Sequence, residues 1–334
     1  MRPLVSINIV SFNSEKFISR AIKSVLDQNF SRWEIIIVDN GSTDNTLKIV
    51  DTFLKRNKKI KVFKLRKPNQ PKARNLAIKK SLSNLIAVLD SDDECEKNRL
   101  EIQYKFMKEN KNVNFLGSYT NVIDEQNNFL HQNKYPSEPN LIKFSFLFGN
   151  PIAHSSLVFR KKLDYLYDEK LKFSQDREML TRYINNSIYS NIPMPLIKFR
   201  VHKGQMNKEK FRIQKINEFD NLKRNYQILF DKYLHEKYIT AIISTRNSRE
   251  CNLDQLELMS NYLLMSYKQF QIKFYNGFEN NLLKNLSKKK LIEFSVMCNS
   301  NILKILKVYS KNTELFSLRG VFMIVSRKVF NILK

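Results

Sequence analysis

The chain has 334 residues, of which 42% are apolar and 27% charged, with only 6 Gly and 8 Pro. That composition excludes collagen-like, low-complexity and mainly disordered chains, and leaves room for one large domain or two medium ones. Fifty-eight Lys and Arg against 32 Asp and Glu give a net charge of +26, a field that attracts polyanions, either nucleic acid or an anionic membrane surface.

Val5 to Val10 reads as a short strand, followed by Asn13 or Ser14 as a helix cap. Phe17, Ile18, Ala21, Ile22, Val25 and Leu26 then recur at three- and four-residue spacing, the stripe of an amphipathic helix. Ile35 to Val38 is a continuous apolar run, expected for a strand buried on both faces, and it stops at the turn Asp39-Asn40-Gly41-Ser42. A helix is predicted from near Thr43 or Asp44, a strand over Ile60 to Leu65, a helix over 72–81 and a strand over Leu85 to Leu89. Leu100, Tyr104 and Met107 mark a further helix, and Val113 to Leu116 a further strand. Strands alternating with helices predict an α/β fold with a parallel sheet, which binds ligands at the carboxyl ends of its strands. Residues 125–200 are irregular and read as loops and short elements closing over a site. From about Asn207 the chain turns to basic, Leu-rich helices, so a boundary falls near 205–215.

Three dispersed cysteines (Cys95, Cys251, Cys298) form no disulfide framework and no CxxC pair, and four histidines leave little for a His-rich metal cage. They point to a reducing compartment. No apolar run reaches about 18 residues, and the N-terminus leads straight into a strand. A cytoplasmic, non-spanning protein is expected.

The strongest local signal for chemistry is Asp90-Ser91-Asp92-Asp93 at the end of an apolar strand. Three carboxylates in four residues repel one another unless a cation such as Mg²⁺ or Mn²⁺ neutralises them; the alternative is a solvated acidic turn before a helix. Asp39, at the tip of a buried strand, suits a nucleobase imide, with an ordinary strand-to-helix turn as the alternative. Arg74, in Pro71-Lys72-Ala73-Arg74-Asn75, suits a phosphate or a base, or stands solvated on its helix. Weaker signals are Asn150-Pro151 with His154-Ser155-Ser156, Ser174-Gln175-Asp176-Arg177-Glu178, and Arg200-Val201-His202. Asp176 also reads as a salt-bridged surface carboxylate, and His154 as a satisfied core histidine.

Together and in this order, these blocks over residues 3–205 resemble the inverting family-2 glycosyltransferases, especially bacterial enzymes that build surface polysaccharides. The resemblance implies a GT-A-type, Rossmann-like nucleotide-binding sheet flanked by helices. Residues 1–210 would form the glycosyltransferase domain, with 1–100 the nucleotide-sugar half and 101–210 the acceptor and catalytic half. Residues 211–334 would form a mainly α-helical, basic extension. The implied donor is a nucleotide-sugar, usually UDP-linked, bound by Ser11, Asn13, Asp39, Arg74, Asp90 and Ser91. Asp90 and Asp92 look like the family's DxD motif, with Asp92 the direct ligand of Mn²⁺ or Mg²⁺ and Asp90 touching the ribose or supporting the metal's ligands; His202 matches a histidine that completes the metal site in some members. Asp176 stands at the position of the general base, for single-displacement transfer to a hydroxyl of an O-antigen, capsule or lipooligosaccharide intermediate. The sequence departs from the family pattern at three places. Gln175 replaces the Glu that often precedes the base, Asn69-Gln70-Pro71-Lys72 replaces a glycine-rich lead-in, and Cys95-Glu96-Lys97 stands where a Pro commonly follows the acidic turn.

Residues 281–334 hold eleven Lys or Arg against Glu293 and Glu314, a net +9. Val321, Phe322, Ile324, Val325, Val329, Phe330, Ile332 and Leu333 interleave with Arg327, Lys328 and Lys334, a pattern suited to the inner face of an anionic membrane carrying a lipid-linked acceptor. The alternative is a helix that packs internally or in a homodimer. No helix-turn-helix, zinc or RNA-binding signature accompanies the charge, so nucleic acid is not expected. Two other readings have weaker support. A sugar-nucleotide nucleotidyltransferase would carry a Gly-rich signature, and Leu4 to Asn13 contains no Gly; a non-catalytic scaffold would not need Asp39, Asp90, Asp92 and Asp176 together.

Overall fold

The structure, a computed structural model, describes residues 2–162, 164–202, 204, 208–248, 250–275, 280–298, 300, 302–311, 315, 320–321 and 324. The first four strands are β1 (Val5–Ser11), β2 (Trp33–Asp39), β3 (Ile60–Lys64) and β4 (Leu85–Asp90), separated by α1 (Ile18–Leu26), α2 (Thr46–Leu54) and α3 (Gln70–Lys80). Two-residue β5 (Glu94–Cys95) and α4 (Arg99–Glu109) follow. Then come β6 (Phe115–Ile123), β7 (Phe129–Asn133), α5 (Pro139–Ser145), a 3₁₀ turn at His154–Ser156, β8 (Val158–Arg160), α6 (Gln175–Arg182) and β9 (Tyr189–Arg200).

These strands form one sheet in the order β3-β2-β1-β4-β8-β6-β9-β5, with β7 paired to β6. β1 is parallel to β2 and β4, and β2 to β3, so their carboxyl ends all point to one edge. β8 runs antiparallel to both β4 and β6. Alternate side chains of β1 and β2 go to opposite faces. Ile7, Ile9, Ile35 and Ile37 pack with Ile18, Ile22 and Val25 of α1, whereas Ile36 and Val38 pack with Ala73 and Ala77 of α3. Both faces are covered, which is why these strands read as unbroken apolar runs.

The irregular texture of 125–200 conceals the longest strand. β9 has twelve residues and contains Pro193 and Pro195, which suggest a loop. It pairs with β6 from Phe115↔Tyr189 to Ile123↔Arg200, but the register shifts twice around Tyr119, opposite the prolines. A bulge absorbs residues that cannot donate to the ladder. On β6, Gly117 is required by close approach: a Cβ there would strike the Asn191 side chain and come within 2.9 Å of Ile152 Cγ2. The segment from Pro151 to Ser156 thereby lies directly on the sheet.

The remaining helices are α7 (Lys208–Phe230), α8 (Glu236–Ser248), α9 (Leu253–Tyr275), α10 (Asn281–Met297) and α11 (Ile302–Ser310). The chain divides into two compact units, one of residues 1–145 with 149–214, the other of 146–148 with 215–334. The helical unit has its own core, including Tyr226, Tyr262, Phe270, Leu291 and Phe294. Phe146, Leu147 and Phe148 belong to that core and are nearly fully buried. Asn225 Nδ2 donates to Phe146 O, Tyr262 Oη to Leu147 O, and the Phe148 ring lies against Tyr262 and Phe294. The free thiols Cys251 and Cys298 are buried where the chain before α9 bridges the end of α10. Among the described residues no helix is long and apolar enough to cross a membrane. Of the C-terminal amphipathic positions, Val321 is half-buried and Ile324 buried; Phe322, Val325, Arg327, Lys328, Val329, Phe330, Ile332, Leu333 and Lys334 lie outside the described residues.

Candidate active site

The carboxyl ends of β1, β2 and β4 open into a cleft of about 790 Å³. Its floor is the turn after β2. Asp39 Oδ2 accepts from Gly41 N (3.1 Å) and Ser42 N (3.0 Å), and Oδ1 from Ser42 Oγ (2.5 Å) and Ser11 Oγ (3.4 Å). Gly41 has φ +87°, a conformation that favours glycine. Asn13 laces the neighbouring loop to this turn: its N donates to Ser42 Oγ and its Oδ1 accepts from Thr43 N. The predicted residues therefore divide. Asn13, Arg74, Asp90, Ser91, Asp92 and His202 line the cleft, while Ser11 (0% exposed) and Asp39 (2%) lie beneath it with their oxygens turned to the protein.

The acidic turn is neutralised residue by residue. Asp90 is within 3.2–3.3 Å of His154 Nδ1 through both oxygens and 3.6 Å from Arg74 Nη2. Burial works to raise its carboxyl, but His154 and Arg74, with hydrogen bonds from His154 and Ser155, hold it well below the usual range. Asp92 Oδ2 meets His202 Nε2 at 3.1 Å. Asp93 points inward, where Arg200 N donates to it (2.8 Å); burial, then the charges of Asp92 and Asp90, push it well above the usual carboxylate range. The repulsion expected within the triplet is relieved without three carboxylates facing one cation. Arg200, wholly buried, secures the turn by donating from Nε to Asp92 O (2.9 Å), pairing with Glu94 and donating from Nη1 to Asp124 O.

Asp176 sits in the first turn of α6, after Ser174 at φ +58°, and its Oδ2 accepts from Asn150 Nδ2 at 2.8 Å. Its neighbour Gln175 accepts from Arg74 Nη1 at 3.0 Å. Tyr167 links the groups: its hydroxyl is 3.0 Å from His154 Nε2 and its ring lies 5.3 Å from the Arg74 guanidinium. Burial raises the Tyr167 phenol far above its ordinary value, so it stays a neutral hydroxyl. Gln175, Arg74, Asp90, His154 and Tyr167 thus form one connected set, and Asp176 follows Gln175 directly in the chain.

Residues 6–184 match the family described as Glycosyl transferase family 2. The chain belongs to that family. A glycosyltransferase of Methanocaldococcus jannaschii, MJ1057, is 30% identical over 68% of this chain and 80% of its own length. The O-antigen biosynthesis glycosyltransferase WbnJ of Escherichia coli is 28% identical over 61% of this chain and 82% of its length. The fold is that of Staphylococcus aureus TarS: a structure of its residues 1–349 in complex with UDP-GlcNAc gives a TM-score of 0.55 at 20% identity, covering 96% of this chain and 92% of that one. The glycosyltransferase spans about half, 53%, of a longer TarS chain.

The donor set of the glycosyltransferase fits a cation that takes few protein ligands. Among the described residues no cluster of three His, Cys, Asp or Glu could enclose a metal ion. Asp92 nevertheless presents a carboxylate to the cleft, and Mg²⁺ or Mn²⁺ sites commonly combine one or two carboxylates with substrate phosphates and water. His202 fits less directly. Its Nδ1 accepts from Gly204 N (3.2 Å), so the proton lies on Nε2, directed at Asp92. Ligation through Nε2 requires that proton to move to Nδ1 and the Gly204 contact to open. Tyr167 was not foreshadowed by any motif; His154 and Asn150 were, within a block too short to assign alone.

Proposed function

We propose that this glycosyltransferase moves a sugar from a UDP-linked donor to a hydroxyl of a bacterial surface-glycan intermediate, by a single displacement that inverts the anomeric centre. The observation that carries this reading is the convergence of Asn13, Arg74, Asp90, Ser91 and Asp92 on one cleft at the carboxyl ends of β1, β2 and β4, with Asp176 next in the chain to Gln175, which holds Arg74. UDP-GlcNAc in TarS and the O-antigen role in WbnJ's name support the donor and acceptor classes.

In this mechanism Asn13 and Ser91 border the nucleotide, and Arg74 sets positive charge against the diphosphate. Ser11 and Asp39 act from below by fixing the turn that forms the base end of the cleft. Asp92 would hold Mn²⁺ or Mg²⁺, with His202 behind it as its hydrogen-bond partner. That ion supplies charge neutralisation for the departing diphosphate. Asp176 takes the proton of the acceptor hydroxyl as that oxygen attacks the anomeric carbon and the carbon–oxygen bond to UDP breaks. Asn150 holds one Asp176 oxygen and leaves the other for that proton. The same reading has the enzyme working peripherally at the inner face of the cytoplasmic membrane, its basic C-terminal segment against anionic lipid.

The test is a thermal-shift panel of nucleotides and UDP-sugars with and without Mn²⁺. The expected result is stabilisation that requires both UDP and metal and is largest for one UDP-sugar. Stabilisation by a different nucleotide would change the donor class, and no response from folded protein would overturn the reading.

A further inference from the structure

The Gln175 side chain is 2% exposed and fully engaged. Its Nε2 donates to Lys172 O (2.8 Å) and lies 3.3 Å from the Gln70 amide; the Lys172 carbonyl, an obligate acceptor, fixes which end of the Gln175 amide is nitrogen. Its Oε1 is thereby turned to Arg74 Nη1 at 3.0 Å. A carboxylate in this place would set an oxygen against Lys172 O, with no proton to share. The surroundings of residue 175 call for an amide.

This has a consequence for charge. Arg74 lines the cleft, its side chain 14% exposed, and its ionic contact there is Asp90 at 3.6 Å. Asp90 is itself shared with His154. An amide oxygen orients the guanidinium without cancelling it, whereas a carboxylate would do both. We propose that Gln175 is a positioning residue that holds Arg74 toward the donor while leaving its positive charge for the diphosphate. The inference rests on the proposed UDP-linked donor.

The test uses the full chain with UDP and, separately, uridine, each titrated calorimetrically in the presence of Mn²⁺. Gln175→Glu is expected to weaken UDP by about ten-fold while uridine, which carries no phosphate, binds as to wild type. Gln175→Met, neutral and of similar length, is expected to weaken UDP by no more than about three-fold, because it loses the tether but not the charge. In an Arg74→Met background, Gln175→Glu should add no further loss. Equal loss of uridine and UDP in both Gln175 variants would make the residue merely structural and overturn the inference. So would unchanged UDP affinity in Gln175→Glu, or an undiminished effect in the Arg74→Met background. Failure of the wild type to bind UDP at all would instead overturn the proposed function, and this inference with it.

Discussion

In the proposed mechanism Asp176 and Asp92 divide the chemistry between two carboxylates with different neighbours. Asp176 is held by an amide and has an oxygen to take a proton, so Asp176→Asn is expected to lower kcat by about 10²–10⁴-fold while UDP affinity stays at the wild-type level. Turnover and calorimetry on one preparation check both halves, and wild-type turnover would remove the base assignment. Asp92 faces the cleft beside His202, whose proton is on the nitrogen nearest it. Asp92→Ala should therefore abolish Mn²⁺-dependent transfer, whereas His202→Ala should weaken Mn²⁺ by about 10–100-fold, as loss of an outer partner does. Metal titrations of activity distinguish the two, and equal effects would make His202 a full ligand. The sequence pattern singled out both carboxylates as candidates but did not show how Asp39 is held. An Asp at a strand tip reads the same whether it faces a ligand or its own turn, and only the contacts with Ser11, Gly41 and Ser42 distinguish these.

At the scale of elements, what was legible depended on burial. β1, β2 and β4 are covered on both faces, and their apolar runs announce them. β9 was hidden because Pro193 and Pro195 are compatible with a strand only where the register slips, and the slip is a property of β6 as much as of β9. The end of β9 delivers Arg200 and His202 to the acidic turn at the end of β4. Arg200 is the pin of this junction, donating to Asp92 O and Asp124 O and pairing with Glu94 in the interior. Arg200→Met should cost about 3–5 kcal/mol, since it leaves Glu94 without its buried partner. Urea denaturation measures this, and a loss under 1 kcal/mol would show that the turn holds without the pin. Asn191 and Gly117 perform the matching task for His154, since the missing Cβ lets the Pro151–Ser156 segment rest on the sheet while Asn191 Nδ2 donates to Pro151 O.

For the whole molecule, the +26 charge sets the field in which the cleft works, and the basic surplus is dense toward the C-terminus. Residues 316–334 carry four cations, Arg319, Arg327, Lys328 and Lys334. At about 1 kcal/mol for each cation near an anionic surface, their deletion should weaken binding to phosphatidylserine vesicles by roughly 10³-fold and shift the enzyme into the soluble fraction. Unchanged flotation would defeat the anchoring role. The helical unit was legible as helices but not as a separate core, because nothing in Phe146-Leu147-Phe148 distinguishes it from the apolar residues that belong to the sheet unit.

That tripeptide also imposes an order on the chain's own synthesis. Phe146 accepts from a residue 79 positions later, and Leu147 from one 115 positions later. At about 5–20 residues per second, the ribosome delivers Asn225 roughly 4–16 s after Phe146, and Tyr262 later still. Over that interval two phenylalanines and a leucine wait for the core that will enclose them, while the sheet unit to which they are attached is still gaining β8 and β9. The nascent glycosyltransferase thus carries a transient sticky segment whose protection, by a chaperone or by speed of translation, bears directly on its yield.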